Sequence, residues 1–304
     1  MTTPADDYLM GRTSAEYQRL RAQAKVWEEG TRRVLIKAGL RPGLSCLDIG
    51  CGPGEVMRLM SEMVGPAGSV TGVDVDGRVG REALDVLRST TGGQYAFHEL
   101  DVESAERVPG GAFDAVFSRI LLIHLKEPEA FLRKMMSWTK PGGVVVVQEY
   151  DFESWDVCPR LDAVVEVIRT FRAVAEKGGR DTRLGFKLPA CFIAAGLGPP
   201  DGIDVAALVS ELAVGGRMTQ EVYTSIFPMA QQLGLTDEAN RRRIFDAIDG
   251  AIQTGGDYVL SPLLVGAWKR RPIEGKVGIG DRIGVSGRTR QEIKTEHRRP
   301  SVRS

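Results

Sequence analysis

The sequence has little of what holds metals or staples small folds together. Its 304 residues include only four cysteines and three histidines. Cys46, Cys51, Cys158 and Cys191 are scattered, with no Cys-x-x-Cys pair and no matching histidine cluster, which argues against a zinc site or a disulfide framework. No run approaches the ~18 apolar residues of a membrane span. The opening MTTPADDYLMGRTS has no apolar stretch resembling a signal peptide, so the cytoplasm is the expected compartment. Internal repeats are missing too. Net charge is zero, with 40 basic and 40 acidic residues, but it is unevenly spread. From Lys269 to Ser304 there are 11 Lys+Arg against 4 Asp+Glu, so the rest of the chain is acidic by seven. An acidic body disfavours non-specific nucleic-acid binding. The basic end reads as a solvated extension.

What is present is a core and a rhythm. Hydrophobic residues make up 42% of the chain, enough for a sizeable interior. Residues 14–39 read as one helix, closed by the Arg41-Pro42-Gly43 break. SCLDIG, VTGVDV, YAFHELDV, FDAVFSRI and VVVVQEY then read as five strands, and helical spacing separates most of them. KPGG is a turn into the fifth strand. This alternation predicts a parallel sheet covered on both faces. Beyond Tyr150 the rhythm changes. Helices are predicted over 160–177, 188–195, 218–233 and 237–253, with GIDVAALVS as a sixth strand and YVLSPLLVGAW as the last one.

The stretch LDIGCGPG, residues 47–54, follows a strand and opens a helix. Glycine there permits a tight turn and close approach of a ligand to the backbone. The spacing is D-x-G-x-G-x-G rather than the G-x-G-x-x-G of a dinucleotide loop. Asp48 just upstream is awkward for a pyrophosphate but suits a ligand carrying an ammonium. Asp74 ends the next strand, where a carboxylate can accept bonds from two ribose hydroxyls. Acids at two consecutive strand ends suggest an adenosine with a short cationic tail.

With LDIGCGPG, GVDVD, HELDVES and FDAVFSRILLIHL followed by KPGG, residues 45–150 resemble a class I S-adenosylmethionine-dependent methyltransferase of the small-molecule branch; that is about a third of the chain. The resemblance implies an α/β fold, a Rossmann-like, doubly wound, seven-stranded and mostly parallel sheet with its last strand antiparallel, plus helical substrate-lid insertions. It implies S-adenosylmethionine as cofactor. Gly50, Cys51, Gly52 and Gly54 would line its amino-acid portion, and Asp48 would reach its ammonium directly or through water. Asp74 would hold the ribose, and Val75 beside it would also contact the cofactor. Asp101 and Val102 would meet the adenine, and Ser118 and Arg119 the methionine moiety. YLMGRTSAEYQRLRAQA resembles a lid helix whose Tyr8 and Gln23 would close over the cofactor. The implied organisation is 1–40 as lid helices, 41–272 as the methyltransferase domain with its core at 41–152 and helical additions near 155–195 and 215–254, and 273–304 as a basic, disordered tail.

Methyl transfer is an in-line displacement that needs alignment and exclusion of water. A base is needed only where the acceptor must lose a proton. His124, after strand four, is the candidate; a packed or capping histidine is the competing reading. Glu149 and Asp151, at the end of strand five, either act on a substrate or cap local backbone. Arg180, Asp181 and Arg183 either shape the substrate pocket or form an exposed loop. Cys51 has nothing nearby to depress its pKa and is not expected to be a nucleophile. The expected partner is a small, partly apolar acceptor, with O-methylation ahead of N- and C-methylation, no nucleic acid and room for a homodimer. Two other classes share part of the pattern: a non-catalytic S-adenosylmethionine-binding regulator, and an NAD-dependent oxidoreductase, whose loop the glycines do not fit.

Overall fold

The β-branched run Val144–Val147 lies at the centre of the molecule, at most 2% exposed, and the other apolar strands pair around it. The computed structural model describes residues 14–273. Tyr8 and all of the basic end after Ile273 lie outside the described residues. The chain runs α1 (Ser14–Val26), α2 (Glu28–Ala38), β1 (Ser45–Ile49), α3 (Glu55–Val64), β2 (Ser69–Asp74), α4 (Gly77–Thr90) and β3 (Tyr95–Glu99). It continues through β4 (Phe113–Arg119), α5 (Pro128–Ser137), β5 (Thr139–Asp151), β6 (Asp156–Cys158), α6 (Asp162–Lys177) and α7 (Leu184–Ala194). The remainder is β7 (Gly202–Ala206), β8 (Val209–Glu211), α8 (Leu212–Gln232), α9 (Glu238–Thr254), β9 (Tyr258–Leu260) and β10 (Leu263–Arg270).

Seven strands form one sheet in the order β3-β2-β1-β4-β5-β10-β7. β1 to β5 pair in parallel, and β10 is antiparallel to both β5 and β7. This is the expected seven-stranded, mostly parallel sheet with its last strand reversed. The order runs outward from β1 in both directions, so the carboxyl ends of β1 and β4 diverge and leave a crevice between them, the position at which such sheets bind ligands. α2 packs on this sheet through Val34, Leu35 and Ala38, all at most 1% exposed. Burying one such leucine stabilises the fold by about 2 kcal/mol.

Several elements depart from their sequence reading. The helix expected over 14–39 breaks at Trp27, which goes into the core at 3% exposure and ends one helix before the next begins. KPGG is a bulge inside β5, marked by the register shift opposite Phe113 and Ala115, rather than a turn before it. The sixth and last strand segments each divide in two. Their outer halves, β8 and β9, join β6 in a second sheet of order β6-β9-β8. A strand can leave one sheet for another where its alternation lapses, and Ser261-Pro262 supplies that break between β9 and β10. α8 begins at Leu212, six residues before the predicted 218, because Gly215 and Gly216 are buried within it.

Candidate active site

Over the carboxyl ends of β1, β2 and β4 lies a cavity of about 280 Å³. Its floor is the loop after β1. Gly50, Gly52 and Gly54 all have positive φ, at 68°, 47° and 79°. A Cβ at Gly52 would meet nothing within 4 Å, so the missing side chain leaves the backbone open to the cavity. Gly54 serves another purpose. It does not line the cavity; a Cβ there would stand 3.0 Å from the Ala83 Cβ of α4, so glycine permits helix packing at the start of α3. Cys51 lines the cavity, and burial pushes its thiol well above the ordinary range, which leaves it a protonated, inert wall.

Asp48 stands at the carboxyl end of β1, 2% exposed, with Oδ2 buried and without a hydrogen-bond partner among the described residues. Burial pushes its carboxyl up to about 7; Arg119 opposes that shift and Asp74 adds to it. A buried carboxylate oxygen with no partner is costly, and a cation in the cavity would relieve it. Asp74 closes β2. Its Oδ2 accepts from Gly52 N and its Oδ1 from Asp76 N, both at 2.9 Å, so it organises the glycine loop while still lining the cavity. Val75, 40% exposed, lines the rim beside it. Asp101 holds its own turn, accepting from Glu103 N at 3.0 Å and Ser104 Oγ at 2.9 Å, and it and Val102 both line the cavity.

At the end of β4 the two predicted neighbours part. Arg119 lines the cavity, donating to Thr31 Oγ1 at 3.2 Å, and burial lowers its guanidinium below the ordinary range. Ser118 does not line it; its side chain is fully buried with Oγ unpartnered, because successive strand residues face opposite sides of the sheet. Ile120 follows with φ 54°, the only positive φ outside glycine among the described residues. Glu149 holds that turn. Its Oε1 accepts from Leu121 N at 2.8 Å and Leu122 N at 2.6 Å, and burial pushes its carboxyl up to about 8. Glu149 and Asp151 are not among the cavity residues, and the backbone-capping alternative describes Glu149.

His124 lines the cavity, and burial, then Arg180 and Arg19, push its imidazole down to about 3. The ring is therefore neutral at neutral pH and a weak proton acceptor. Arg180 Nη1 donates to the His124 carbonyl at 2.6 Å, which ties the loop before α7 to this turn. Asp181 accepts from Arg183 N at 2.9 Å, and Arg183 lies over Phe186, so neither reaches the cavity.

Gln23, expected on a lid helix, does line the cavity and donates from Nε2 to the Tyr150 hydroxyl at 2.8 Å. Tyr17 of the same helix donates to Asp76 Oδ2 at 2.5 Å, docking α1 beside the end of β2. The sequence reading missed the aromatic side of the cavity, formed by Trp27, Tyr150, Phe152, Trp155 and Phe171. The signal was there in YDFESW, where three aromatics fall within six residues across the end of β5. It was eclipsed by the acids interleaved with them. Of the large apolar side chains in the later helices, Tyr223 and Phe227 are core, while Phe186 and Met229 are exposed. Among the described residues no cluster of metal-ligating side chains occurs, and no helix is long and apolar enough to cross a membrane.

A family described as a methyltransferase domain matches residues 17–180. A phosphoethanolamine N-methyltransferase of Zea mays is 31% identical over 124 residues, covering 40% of this chain and 24% of that protein. A ubiquinone/menaquinone biosynthesis C-methyltransferase of Pasteurella multocida is 29% identical over 168 residues, covering 50% of this chain and 60% of that protein. The chain thus spans less than two thirds of these relatives. Among solved structures, a Haemonchus contortus phosphoethanolamine N-methyltransferase, in complex with phosphomonomethylethanolamine and S-adenosylhomocysteine, superposes with a TM-score of 0.52 at 17% identity. That match covers 90% of this chain and 61% of the other, and it bears on the fold alone.

Proposed function

Because this chain belongs to the methyltransferase domain family, we propose that it transfers a methyl group from S-adenosylmethionine to a small, partly apolar acceptor in the cavity above β1, β2 and β4. The observation that carries this reading is Asp48: a buried, unpartnered carboxylate oxygen beside a loop whose missing side chains leave room for a ligand. A ligand bearing an ammonium, a ribose and an adenine fits that arrangement. Asp48 would take the ammonium and the Gly50–Gly52 backbone would lie along the chain beside it. Asp74, held at the end of β2 by Gly52 N and Asp76 N, would take the ribose hydroxyls. Asp101, Val102 and Val75 would flank the adenine. The Arg119 guanidinium, close enough to Asp48 to oppose its shift, would take the carboxylate.

When bound, the cofactor supplies an electrophilic sulfonium methyl group whose carbon–sulfur bond breaks with its electron pair going to sulfur. The residues of this chain then have two tasks: to align the acceptor and to keep water out. Gln23, Trp27 and Tyr150 close one side of the cavity and Met218, Thr219 and Val222 of α8 another. O-methylation is favoured over N- and C-methylation. An acceptor that enters as its oxyanion, its hydroxyl proton already lost to bulk water, carries the charge that Arg19 favours on the Tyr150 side of the cavity, so no strong base is needed within it. His124, held neutral, would orient the acceptor rather than deprotonate it.

Calorimetric titration with S-adenosylmethionine, alongside Asp74→Ala and with NAD as control ligand, tests the reading. Saturable binding weakened at least ~10-fold by the substitution is expected, as for loss of hydrogen bonds to a charged group. A folded sample that ignores S-adenosylmethionine, or prefers NAD, would sink it.

A further inference from the structure

The β5 side of the cavity is a continuous line of rings. Trp27 meets Tyr150 at 5.9 Å between centroids, Tyr150 meets Phe152 at 5.2 Å, Phe152 meets Phe171 at 4.4 Å, and Trp155 meets Phe171 at 6.0 Å. Three of the four contacts are edge-on, at 63°, 65° and 73°. Edge-on packing exposes ring faces and edges that a further ring can complement. Among the polar atoms of this wall are the buried Trp27 Nε1, which has no hydrogen-bond partner among the described residues, and the Tyr150 hydroxyl. The hydroxyl is the one fixed by a neighbour. It accepts from Gln23 Nε2, and among the described residues it has no acceptor for its own proton. Burial pushes the phenol up to about 12, so the proton stays on. The hydroxyl is therefore a donor held in place by a donor.

Charge decides what that donor faces. Aromatic walls also suit cations, but the charged groups that act on Tyr150 are Arg119 and Arg19. An ammonium placed there would meet like charge in a desolvated site. An oxygen with partial negative charge would suit the Tyr150 donor and the Arg19 guanidinium, Arg119 being given to the cofactor carboxylate. Of the carboxylates that line the cavity, Asp48, Asp74, Asp101 and Glu103 lie on the β1–β3 side, Glu55 on α3 and Glu221 on α8, and none of them is among the charged groups that act on Tyr150.

We propose that the acceptor is an aromatic hydroxyl compound, its ring packed on the Trp27–Phe171 wall and its oxygen taking a hydrogen bond from Tyr150. The proposal rests on the methyl-transfer reading of the same cavity and adds the acceptor's class and the residue that orients it. An aliphatic alcohol would satisfy Tyr150 but leave the ring edges unmatched. A hydroxyl-free aromatic would fill the wall and leave the Tyr150 proton without an acceptor.

Equilibrium dialysis of the full chain saturated with S-adenosylhomocysteine separates these cases with four probes: 2-naphthol, naphthalene, cyclohexanol and the cation 1-naphthylmethylammonium. 2-Naphthol should bind about 5- to 10-fold more tightly than naphthalene, the value of one net hydrogen bond, and more tightly than either of the other two. Tyr150→Phe, which keeps the ring, should bring 2-naphthol down to the naphthalene level while S-adenosylhomocysteine affinity stays within about twofold. Gln23→Leu, which removes the donor that fixes the hydroxyl, should lose part of the same preference. Preferential binding of the cation would overturn the proposal. So would a Tyr150→Phe protein that keeps its 2-naphthol affinity but loses cofactor affinity, since the hydroxyl would then serve the cofactor. If the unmodified chain fails to bind S-adenosylhomocysteine at all, the methyl-transfer reading itself fails, and the proposal with it.

Discussion

Asp48 is one residue whose titration reports on both folding and binding. Its carboxyl titrates near ~4 in an unfolded chain and near about 7 in the fold. Between those values the folded state holds more protons than the unfolded one. Stability from this group is therefore complete below about pH 4 and lost as pH rises through 7. Glu149, raised to about 8, acts in the same direction. Urea denaturation of the ligand-free protein should show stability falling across this range, and Asp48→Asn should flatten the slope. Binding makes the complementary statement. A cofactor ammonium beside Asp48 favours the carboxylate, so near pH 6 binding should release close to one proton, a release that shrinks as pH rises past about 7. Calorimetry in buffers of different ionisation enthalpy reads this directly, and Asp48→Asn should abolish the buffer dependence. The acids Asp48 and Asp74 were legible in the sequence because each ends a strand beside glycines. Tyr150 was not, because a tyrosine after an apolar run looks like core until the tertiary fold brings Gln23 to its hydroxyl.

At the scale of elements, the parallel half of the fold was readable because each strand is a short apolar run bounded by turn residues. The later half was less so. β8 and β9 are three residues each, and which sheet such short strands join depends on contacts far along the chain rather than on local alternation. α7 shows how closely these additions are fitted to the core. A Cβ at Gly185 would lie 2.6 Å from the Glu149 carbonyl oxygen and 2.8 Å from Asp151 N, both backbone atoms that cannot swing aside. α7 thus rests on the stretch of β5 that carries Tyr150. Gly185→Ala should destabilise the protein by about 1–3 kcal/mol, seen as a lower urea midpoint. It should also shift the environment of Trp155 in near-ultraviolet circular dichroism. An unchanged midpoint would mean that α7 can ride away from β5 at little cost.

For the whole molecule, the cavity joins α1, the sheet, α6, α8 and β9, so a ligand there couples elements distant in sequence. At a concentration one hundred times its dissociation constant, S-adenosylmethionine should add about 2.7 kcal/mol of stability. For a chain of this size that corresponds to a rise in Tm of about 4 °C, measurable by scanning calorimetry. A shift that appears with adenosine alone would assign the coupling to the β2–β3 side. The reversed strand β10 has a further meaning for how the molecule is made. It is the last strand of the seven to leave the ribosome, yet it belongs between β5 and β7. Until residues 263–270 have been synthesised, β5 has a bare edge and β7 has no place in the sheet. The amino-terminal strands can assemble during translation, but the wall that carries Tyr150 must wait. A nascent chain stalled before Leu263 would expose β5 to any passing strand, which is where a chaperone would be needed.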